Sequence, residues 1–296
     1  MRKQPLALFD IFNYAALSVL SLSILYPFVY LINMSLSTSA GLYSRDFALF
    51  LWPEGFTVEA YRKFLSMNYV YTGYAVTLFR TVAGTALSLI VMSAAAYALS
   101  KKYLPHVKIY TTIFIVTIFF SGGLIPTYLL MRNLGLLDNI WILVLGPMVN
   151  AFYLLIIRNF FMGIPEELEE SARLDGAGDF RIFTQVIIPL SLPVIATIGL
   201  WQAVNHWNAW FDSLIYINSM DKHVISVHIR RLVIEQNAAM NDQLTSSLAS
   251  VQKKNMPSPE SIRAAAIMVT IIPILCVYPF IQKFFVKGVM VGAVKG

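Results

Sequence analysis

Long runs of apolar residues without charged side chains are the feature that most constrains this chain. A helix needs about 20 mostly apolar residues to cross the roughly 30 Å core of a bilayer. No other open structure satisfies its own backbone in lipid, so each such run is predicted to be a helix. Six runs qualify, at approximately residues 11–34, 81–100, 109–131, 139–157, 187–210 and 264–282. We therefore expect an all-α, polytopic membrane protein with six transmembrane helices, in which residues 1–296 form one domain.

The composition agrees with a membrane protein. Hydrophobic residues make up 57% of the 296 residues and charged residues 13%, whereas soluble proteins contain about 25% charged residues. The mean hydropathy is +0.66, and a soluble fold of this size could not bury so much apolar surface. The net charge of +6 does not indicate nucleic-acid binding, because the basic residues are scattered between the apolar runs.

The short links between the predicted spans indicate the orientation, because basic residues in short loops favour the cytoplasmic side. The link after the second span carries Lys101, Lys102 and Lys108. The next short link, residues 132–138, has one basic and one acidic residue. This difference places the lysine link and both termini in the cytoplasm, so that two longer loops, about 36–70 and 212–262, lie outside.

The link between the fourth and fifth spans is predicted to contain a short helix, approximately residues 165–176. Pro165 suits a first helical position, and the glutamates after it suit the positive end of the helix dipole. Gly176 suits the C′ position, where the chain turns left-handed. Asp179 is predicted to cap the next helix. A helix lying across the membrane face would thus be joined rigidly to the fifth span.

A run of four glutamates alone usually means only a solvated helix face. The residues around it, however, resemble the EAA loop of ABC importer permeases, which reads Glu-Ala-Ala, three residues, Gly, nine residues, Ile-x-Leu-Pro. The positions that match are Glu170, Ala172, Gly176 and Pro189. The chain departs from the pattern at Ser171, a small residue where Ala is usual, and at Val186 and Ile188, which are conservative replacements. The resemblance implies that this helix docks a separate ATPase subunit, through Glu166, Glu167, Glu170, Ser171, Ala172, Asp175, Gly176 and Ala177.

Further stretches extend the resemblance over nearly the whole chain, to the maltose-type carbohydrate permeases and their subgroup for complex or polymeric sugars. These stretches are Ala96 to Lys101, Leu124 to Tyr128, Leu134 to Asn139, Arg158 to Phe161 and Gly288 to Gly296. In that family the C-terminal tail, here 287–296, reaches the ATPase dimer. The tail residues expected to make this contact are Lys287, Gly292, Lys295 and Gly296. The alternative is a frayed basic end whose glycines provide flexibility.

The resemblance also implies the fold and the partners. The expected fold is that of a type I ABC importer permease in the bacterial inner membrane. The expected partners are a second permease, a dimer of ATPase subunits, an extracytoplasmic solute-binding protein and a carbohydrate, for example an acidic oligosaccharide such as alginate. No G-x-x-x-x-G-K-[ST] loop occurs in the sequence, so ATP and Mg²⁺ are expected on the ATPase and no cofactor on this chain.

Two features near the outer ends of the spans leave alternatives open. Arg80 precedes an uncharged stretch, so it is expected to snorkel to the outer interface or pair with another helix, with the substrate path as the alternative. Aromatic and amide residues end the fifth span, where they form an interfacial belt or line a sugar path. The candidates for the path are Asn205, Trp207, Asn208 and Arg80.

A rival interpretation is a membrane enzyme acting on lipid or glycan, with residues 166–175 as its acidic cluster. The predicted cytoplasmic position and the lack of a metal-ligand histidine nearby argue against it. No metal site is predicted, because four histidines lack ligand spacing: His106, His206, His223 and His228. A passive channel would leave the EAA-like loop without a purpose.

Overall fold

The computed structural model describes residues 8–39, 42, 50–243 and 257–293. In this part of the chain helices are joined by turns and short irregular segments, which confirms the all-α class. The helices are α1 (Leu8–Ser35), α2 (Glu59–Leu65), α3 (Asn68–Ser100), α4 (Val107–Phe119), α5 (Leu124–Asn133), α6 (Ile142–Leu145), α7 (Ala151–Met162), α8 (Glu166–Leu174), α9 (Asp179–Ile182), α10 (Ile188–Leu190), α11 (Leu192–Asn208), α12 (Phe211–Tyr216), α13 (Ile225–Gln243) and α14 (Pro259–Ala293). A π-helix (Phe183–Ile187) joins α9 to α10, and a 3₁₀-helix (Met220–Lys222) precedes α13.

The chain divides into two compact units. The first contains Met1–Val70 and Ile229–Ile274, and the second contains Tyr71–His228 and Leu275–Gly296. The second unit contains all the predicted docking residues of the link between the fourth and fifth spans. It also contains all the residues predicted to line the substrate path.

In the first unit, α1 exposes most of its apolar side chains and ends in a buried polar cluster. Asn33 Nδ2 donates to the carbonyl of Phe50 at 2.9 Å. Ser261 Oγ, at the start of α14, donates to the carbonyl of Ser37 at 3.3 Å. These bonds satisfy buried polar groups and attach both later segments to the end of α1.

The core of the second unit joins α3, α7, α9, the π-helix and α11. Fully buried side chains of this core come from each of these helices. The helices on either side of α8, which are α7 and α9, are therefore packed into the core. The fully buried side chains include Met92, Ala96, Leu154, Ile157, Ile182, Ile187 and Ile198. The helix α3 has 33 residues and begins well before the predicted start of the second span at residue 81.

The six predicted spans are not all single helices. Among the residues that the structure describes, three helices are long and apolar enough to cross a membrane: Phe9–Ser35, Asn68–Ser100 and Pro259–Cys276. The predicted third span is divided into α4 and α5, which are bent by 116°. The predicted fifth span is bent by 81° between Leu190 and Leu192. The predicted fourth span overlaps the first part of α7, a helix of only 12 residues that continues to Met162, so the count of six spans stays a prediction.

Local sequence explains both bends. Between α4 and α5 the chain leaves the helix, and Gly123 adopts a φ of +86°, which favours glycine. Near Ser191, Pro189 and Pro193 each lack the N–H that an uninterrupted helix requires. Apolar composition alone does not report these interruptions.

The predicted outer loops contain helices of their own. α2 lies within the first loop, and α12, the 3₁₀-helix and α13 lie within the second. At the C-terminus, α14 continues to Ala293, so the backbone at Lys287 and Gly292 is helical. Lys295 and Gly296 of the predicted tail lie outside the described residues.

Candidate functional site

The predicted docking helix is present and begins one residue later than expected. α8 starts at Glu166, and Pro165 stands before it as the N-cap, with φ −56° and ψ 132°. The prediction that Pro165 is the first helical residue is therefore wrong by one position. Proline costs no helical hydrogen bond there. Three glutamates occupy the first turn, where the helix dipole favours carboxylates.

α8 ends in the glycine turn that the sequence predicts. Gly176 has a φ of +79°, in the left-handed region that glycine adopts without a steric penalty. Its N–H donates to the carbonyl of Arg173, and the N–H of Ala177 donates to that of Ala172, both at 3.0 Å. These two bonds form a Schellman motif, which satisfies carbonyls that the helix end would otherwise leave free. A Cβ atom at Gly176 would meet nothing within 4 Å, so the backbone alone requires glycine.

Two residues predicted to dock the ATPase subunit contact the chain's own core. Ala172 and Ala177 are half-buried and pack against the core cluster of the second unit. The hydroxyl of Ser171 donates to the carbonyl of Glu167 at 2.8 Å. The two alanines therefore attach α8 to the core of the second unit. Fewer of the predicted docking residues are available to a partner than the sequence indicated.

The next helix, α9, also begins one residue away from its predicted start. Gly178 is the N-cap of α9, and Asp179 is its first residue, so the predicted cap is wrong. The Asp179 carboxylate instead accepts a hydrogen bond from Arg173 Nη2 at 2.5 Å. After α9 the helix widens into a π turn, in which the N–H of Ile188 donates to the carbonyl of Phe183.

Two lysines at the end of α3 bind α8, and we call these two ion pairs the lysine junction. Lys101 Nζ pairs with Glu169, and both side chains are largely buried, at 11% and 16% exposed. Lys102 Nζ lies 2.6 Å from Glu166 Oε1, and both of these side chains are exposed. The hydrogen bond between them raises the pKa of Lys102 and lowers the pKa of Glu166.

Arginines add two further contacts around the junction. Arg158 Nε donates to the carbonyl of Leu99, the residue before the last of α3, at 2.9 Å. Arg173 Nη2 donates to the hydroxyl of Tyr103 at 3.4 Å, and its guanidinium lies 5.8 Å from the centre of that ring. The hydrogen bond that Arg173 donates to Tyr103, and next the charge of Asp179, raise the pKa of Arg173. α8 is thus attached at both ends to the segment that follows α3.

The outward face of this region combines carboxylates with exposed apolar side chains. Within the described part of the chain, Glu167, Glu170 and Asp175 are exposed and have no side-chain partner. Leu174 is 90% exposed and Phe180 79%. The sequence prediction did not include Leu174 or Phe180 among the docking residues, although a large apolar residue in a polar link is a signal for a contact surface. These five residues form what we call the docking face.

Arg80 is buried, and the prediction that it snorkels to an interface is wrong. Its side chain is 2% exposed, and both of its Nη atoms contact the Asp212 carboxylate in an ion pair. Arg80 also donates to His206 Nδ1 and to the carbonyl of Ala209, each at 3.3 Å. The same prediction also named pairing with another helix, and this agrees with the geometry, because Asp212 belongs to α12.

The ion pair of Arg80 continues into a buried network. Gln202 Nε2 donates to Ser88 Oγ and to the carbonyl of Pro147, both at 3.1 Å, and lies 3.3 Å from His206 Nε2. The Pro147 carbonyl belongs to the break between α6 and α7. We call this set the arginine network; its members are Arg80, Ser88, Gln202, His206 and Asp212.

The residues predicted to line a substrate path do not form one group. Trp207 is buried, like Arg80, whereas Asn205 and Asn208 are exposed. Asn205 Nδ2 donates to the hydroxyl of Tyr153 at 2.8 Å, and the rings of Tyr153 and Trp201 lie 5.7 Å apart. The structure therefore places Asn205 beside two aromatic rings, and the sequence prediction had omitted Tyr153.

Comparison with known proteins identifies the chain. The model of the family described as binding-protein-dependent transport system inner membrane component matches residues 7–291. The chain belongs to this family.

Relatives and solved structures agree with this assignment. The polygalacturonan/rhamnogalacturonan transport system permease protein YtcP of Bacillus subtilis (strain 168) is 40% identical, over 98% of this chain and 99% of its own length. Protein LplC of the same organism is 39% identical, over 97% and 95%. One crystal structure, of a bacterial ABC transporter involved in the import of the acidic polysaccharide alginate, matches with a TM-score of 0.84 at 36% identity, covering 94% of this chain and 96% of that chain.

The predicted permease fold and role are confirmed. The chain is an inner membrane transport subunit of an ABC importer, and the ATPase is a separate subunit. The rival interpretations of a membrane enzyme and of a passive channel are wrong.

Proposed function

We propose that this permease forms half of the path by which an ATP-driven importer takes up an acidic oligosaccharide. The importer named above acts on alginate, an acidic polysaccharide, and galacturonan, named for a relative at 40% identity, also carries carboxylates. A second permease supplies the other half of the path. A solute-binding protein delivers the sugar from outside the cell.

The docking face is the observation that carries the proposed coupling to ATP. Its exposed Leu174 and Phe180 would bury apolar area in a groove of the ATPase subunit, while Glu167, Glu170 and Asp175 meet basic residues at the rim. ATP and Mg²⁺ bind to the ATPase subunits. This arrangement requires the docking face, the lysine link and both termini to be cytoplasmic.

The sugar path is proposed to run along the exposed side of α11. Asn205, Tyr153 and Trp201 there offer an amide and two aromatic faces, which suit the hydroxyls and apolar faces of a sugar ring. The interfacial belt predicted from the same aromatics is the alternative. Arg80 and Trp207 are left out of this path because their side chains are buried.

The proposal is tested by two glycines of the same turn that have equal space for a side chain but different backbone conformations. Neither Gly176 nor Gly178 has an atom within 4 Å of an added Cβ, but φ is +79° at Gly176 and −76° at Gly178. Gly176→Val should therefore cost about 1 kcal/mol or more in local strain and displace the docking face, whereas Gly178→Val should not strain the backbone.

The measurement is retention of the ATPase subunits on affinity purification, followed by uptake of a short oligouronate into vesicles at matched expression. We expect Gly176→Val to lose subunits and uptake, and Gly178→Val to retain the subunits. Full retention and full uptake in Gly176→Val would contradict the docking role of α8. Uptake of neutral oligosaccharides alone by the wild-type complex would contradict the acidic substrate.

A further inference from the structure

The two adjacent lysines of the lysine junction differ in how much water reaches them. Lys101 follows the last residue of α3, and its ion pair with Glu169 is largely buried. The pair formed by Lys102 and Glu166, one turn earlier on α8, has exposed fractions of 82% and 68%. Both pairs connect the same two segments, so burial is the main difference between them.

Burial determines which pair can hold the two segments together. An exposed ion pair contributes little, because water and salt screen it and both long side chains lose freedom. In a buried pair, loss of one partner leaves the other charge without compensation. Lys101 Nζ also lies 4.1 Å from the centre of the Tyr97 ring, within the range of a cation–π contact. Lys101 is therefore fixed from two sides, whereas Lys102 is free to exchange its partner for water.

Tyr97 extends the connection beyond α8. Its ring lies 5.1 Å from that of Phe183, the first residue of the π-helix. Near its end, α3 thus contacts α8 through Lys101 and the helical segment after α9 through Tyr97. α11 follows α8 along the chain, through the glycine turn, α9 and α10. α3 has no such covalent link to α8 nearby, since Lys101 and Glu169 are 68 residues apart.

We infer that Lys101 is a positioning residue of the transport cycle, which transmits a displacement of α8 to α3 through Glu169. When the ATPase subunits move α8, α11 follows through the chain and α3 follows through Lys101. The inference rests on the proposed docking of the ATPase at α8. It adds a second helix, α3, that moves with the docking face, and it assigns the transmission to one of two neighbouring ion pairs.

The test measures coupling in assembled complexes. Complexes purified with both ATPase subunits are reconstituted into vesicles, and the amount of oligouronate imported is divided by the amount of ATP hydrolysed. Lys101→Met removes the charge and keeps the bulk of the side chain, and Lys102→Met is the matched control. We expect a several-fold lower ratio for Lys101→Met and an unchanged ratio for Lys102→Met. Lys101→Arg, which keeps the charge and the aromatic contact, should retain the wild-type ratio.

Two outcomes would overturn the inference. One is an equal ratio in Lys101→Met and Lys102→Met. The other is a Lys101→Met complex that is less stable to heat but transports with the wild-type ratio, which would make the pair merely structural. If Lys101→Met yields no assembled complex, Glu169→Gln decides, because it breaks the pair without changing the shape; a wild-type ratio there also overturns the inference. Failure of the proposed docking at α8 would appear separately, as full retention of the ATPase subunits in Gly176→Val.

Discussion

The arginine network and the lysine junction both hold α3 to other helices of the second unit, but they differ in their exposure to water. Arg80, Ser88, Gln202 and His206 are each 3% exposed or less. In the lysine junction one pair is largely buried and the other is open. A buried network specifies one arrangement, because each polar group would lose its partners if the helices separated. We therefore infer that the arginine network keeps its helices in one arrangement, whereas the lysine junction transmits movement of α8 to α3 during transport.

The largest effect is expected from breaking the arginine network. Arg80→Met leaves the Asp212 carboxylate, whose side chain is 25% exposed, without its ion-pair partner. Removal of one member of a fully buried ion pair costs about 3–5 kcal/mol, and the access of water to Asp212 lowers this cost. The measurement is the midpoint of thermal unfolding of the complex in detergent, together with its folded yield. We expect both to fall well below those of the Lys101→Met complex.

A double variant tests whether the unpaired charge of Asp212 causes this loss of stability. Arg80→Met combined with Asp212→Leu removes both charges, and apolar replacement of a buried pair is often nearly neutral. We expect the double variant to recover much of the stability lost in Arg80→Met. A double variant as unstable as the single one would show that the charges themselves are not the source of the loss.

An intermediate effect is expected from filling the space beside His206. A Cβ at Gly84 would lie 2.5 Å from His206 Nε2. The ring cannot move freely, because Arg80 and Gln202 hold it from two sides. Gly84→Ala should therefore cost about 1–3 kcal/mol, the usual range for overpacking.

The control for Gly84→Ala is another glycine in the same unit. At Gly199 the nearest atom to an added Cβ is Leu89 Cδ1, at 3.0 Å, the end of a flexible side chain. We expect Gly199→Ala to lower the unfolding midpoint less than Gly84→Ala does. Equal loss in both variants would mean that His206 is free to shift and that the network is not rigid.

Local features of this fold could be predicted from the sequence, and the contacts between distant segments could not. The glycine turn at Gly176 depends on one residue and its neighbours, and it was predicted at the correct position. The predicted starts of α8 and α9 were each wrong by one residue, because several residues near a helix start can act as the cap. The predicted docking residues included Glu170 and not Glu169, but the ion pair of Glu169 with Lys101 was not predicted.

The missing contacts share a physical reason. Lys101 and Glu169 are 68 residues apart, and Arg80 and Asp212 are 132 residues apart. Without relatives to compare, neither pairing leaves a mark in the order of residues. The breaks in the third and fifth spans were missed for another reason. Apolar composition indicates that a segment lies in lipid, but it does not indicate whether the helix is unbroken. The paired prolines near Ser191 were the available signal.

The smallest effect is expected at Asp138, which forms a partly exposed counterpart to the arginine network. Asp138 adopts a φ of +56° and accepts hydrogen bonds from the N–H groups of Asn218 and Ser219, the hydroxyl of Ser219, and Lys222 Nζ. These bonds, those from Ser219 above all, hold the pKa of the Asp138 carboxyl well below its usual value. The charged form is therefore favoured in the folded protein.

The sign of the pH dependence follows from that shift. A carboxyl whose pKa is lower in the folded state stabilises the fold above its unfolded pKa of about 3.9, and the stabilisation is lost as the pH falls through the folded value. Asp138→Asn tolerates the positive φ but loses the charge, so it should lower the unfolding midpoint slightly near neutral pH. The difference from wild type should shrink as the pH is lowered below about 4. Asp221→Asn, an exposed change in the neighbouring 3₁₀-helix, is the control and should have no effect. A difference between Asp138→Asn and wild type that is constant with pH would show that the carboxylate contributes shape and not charge.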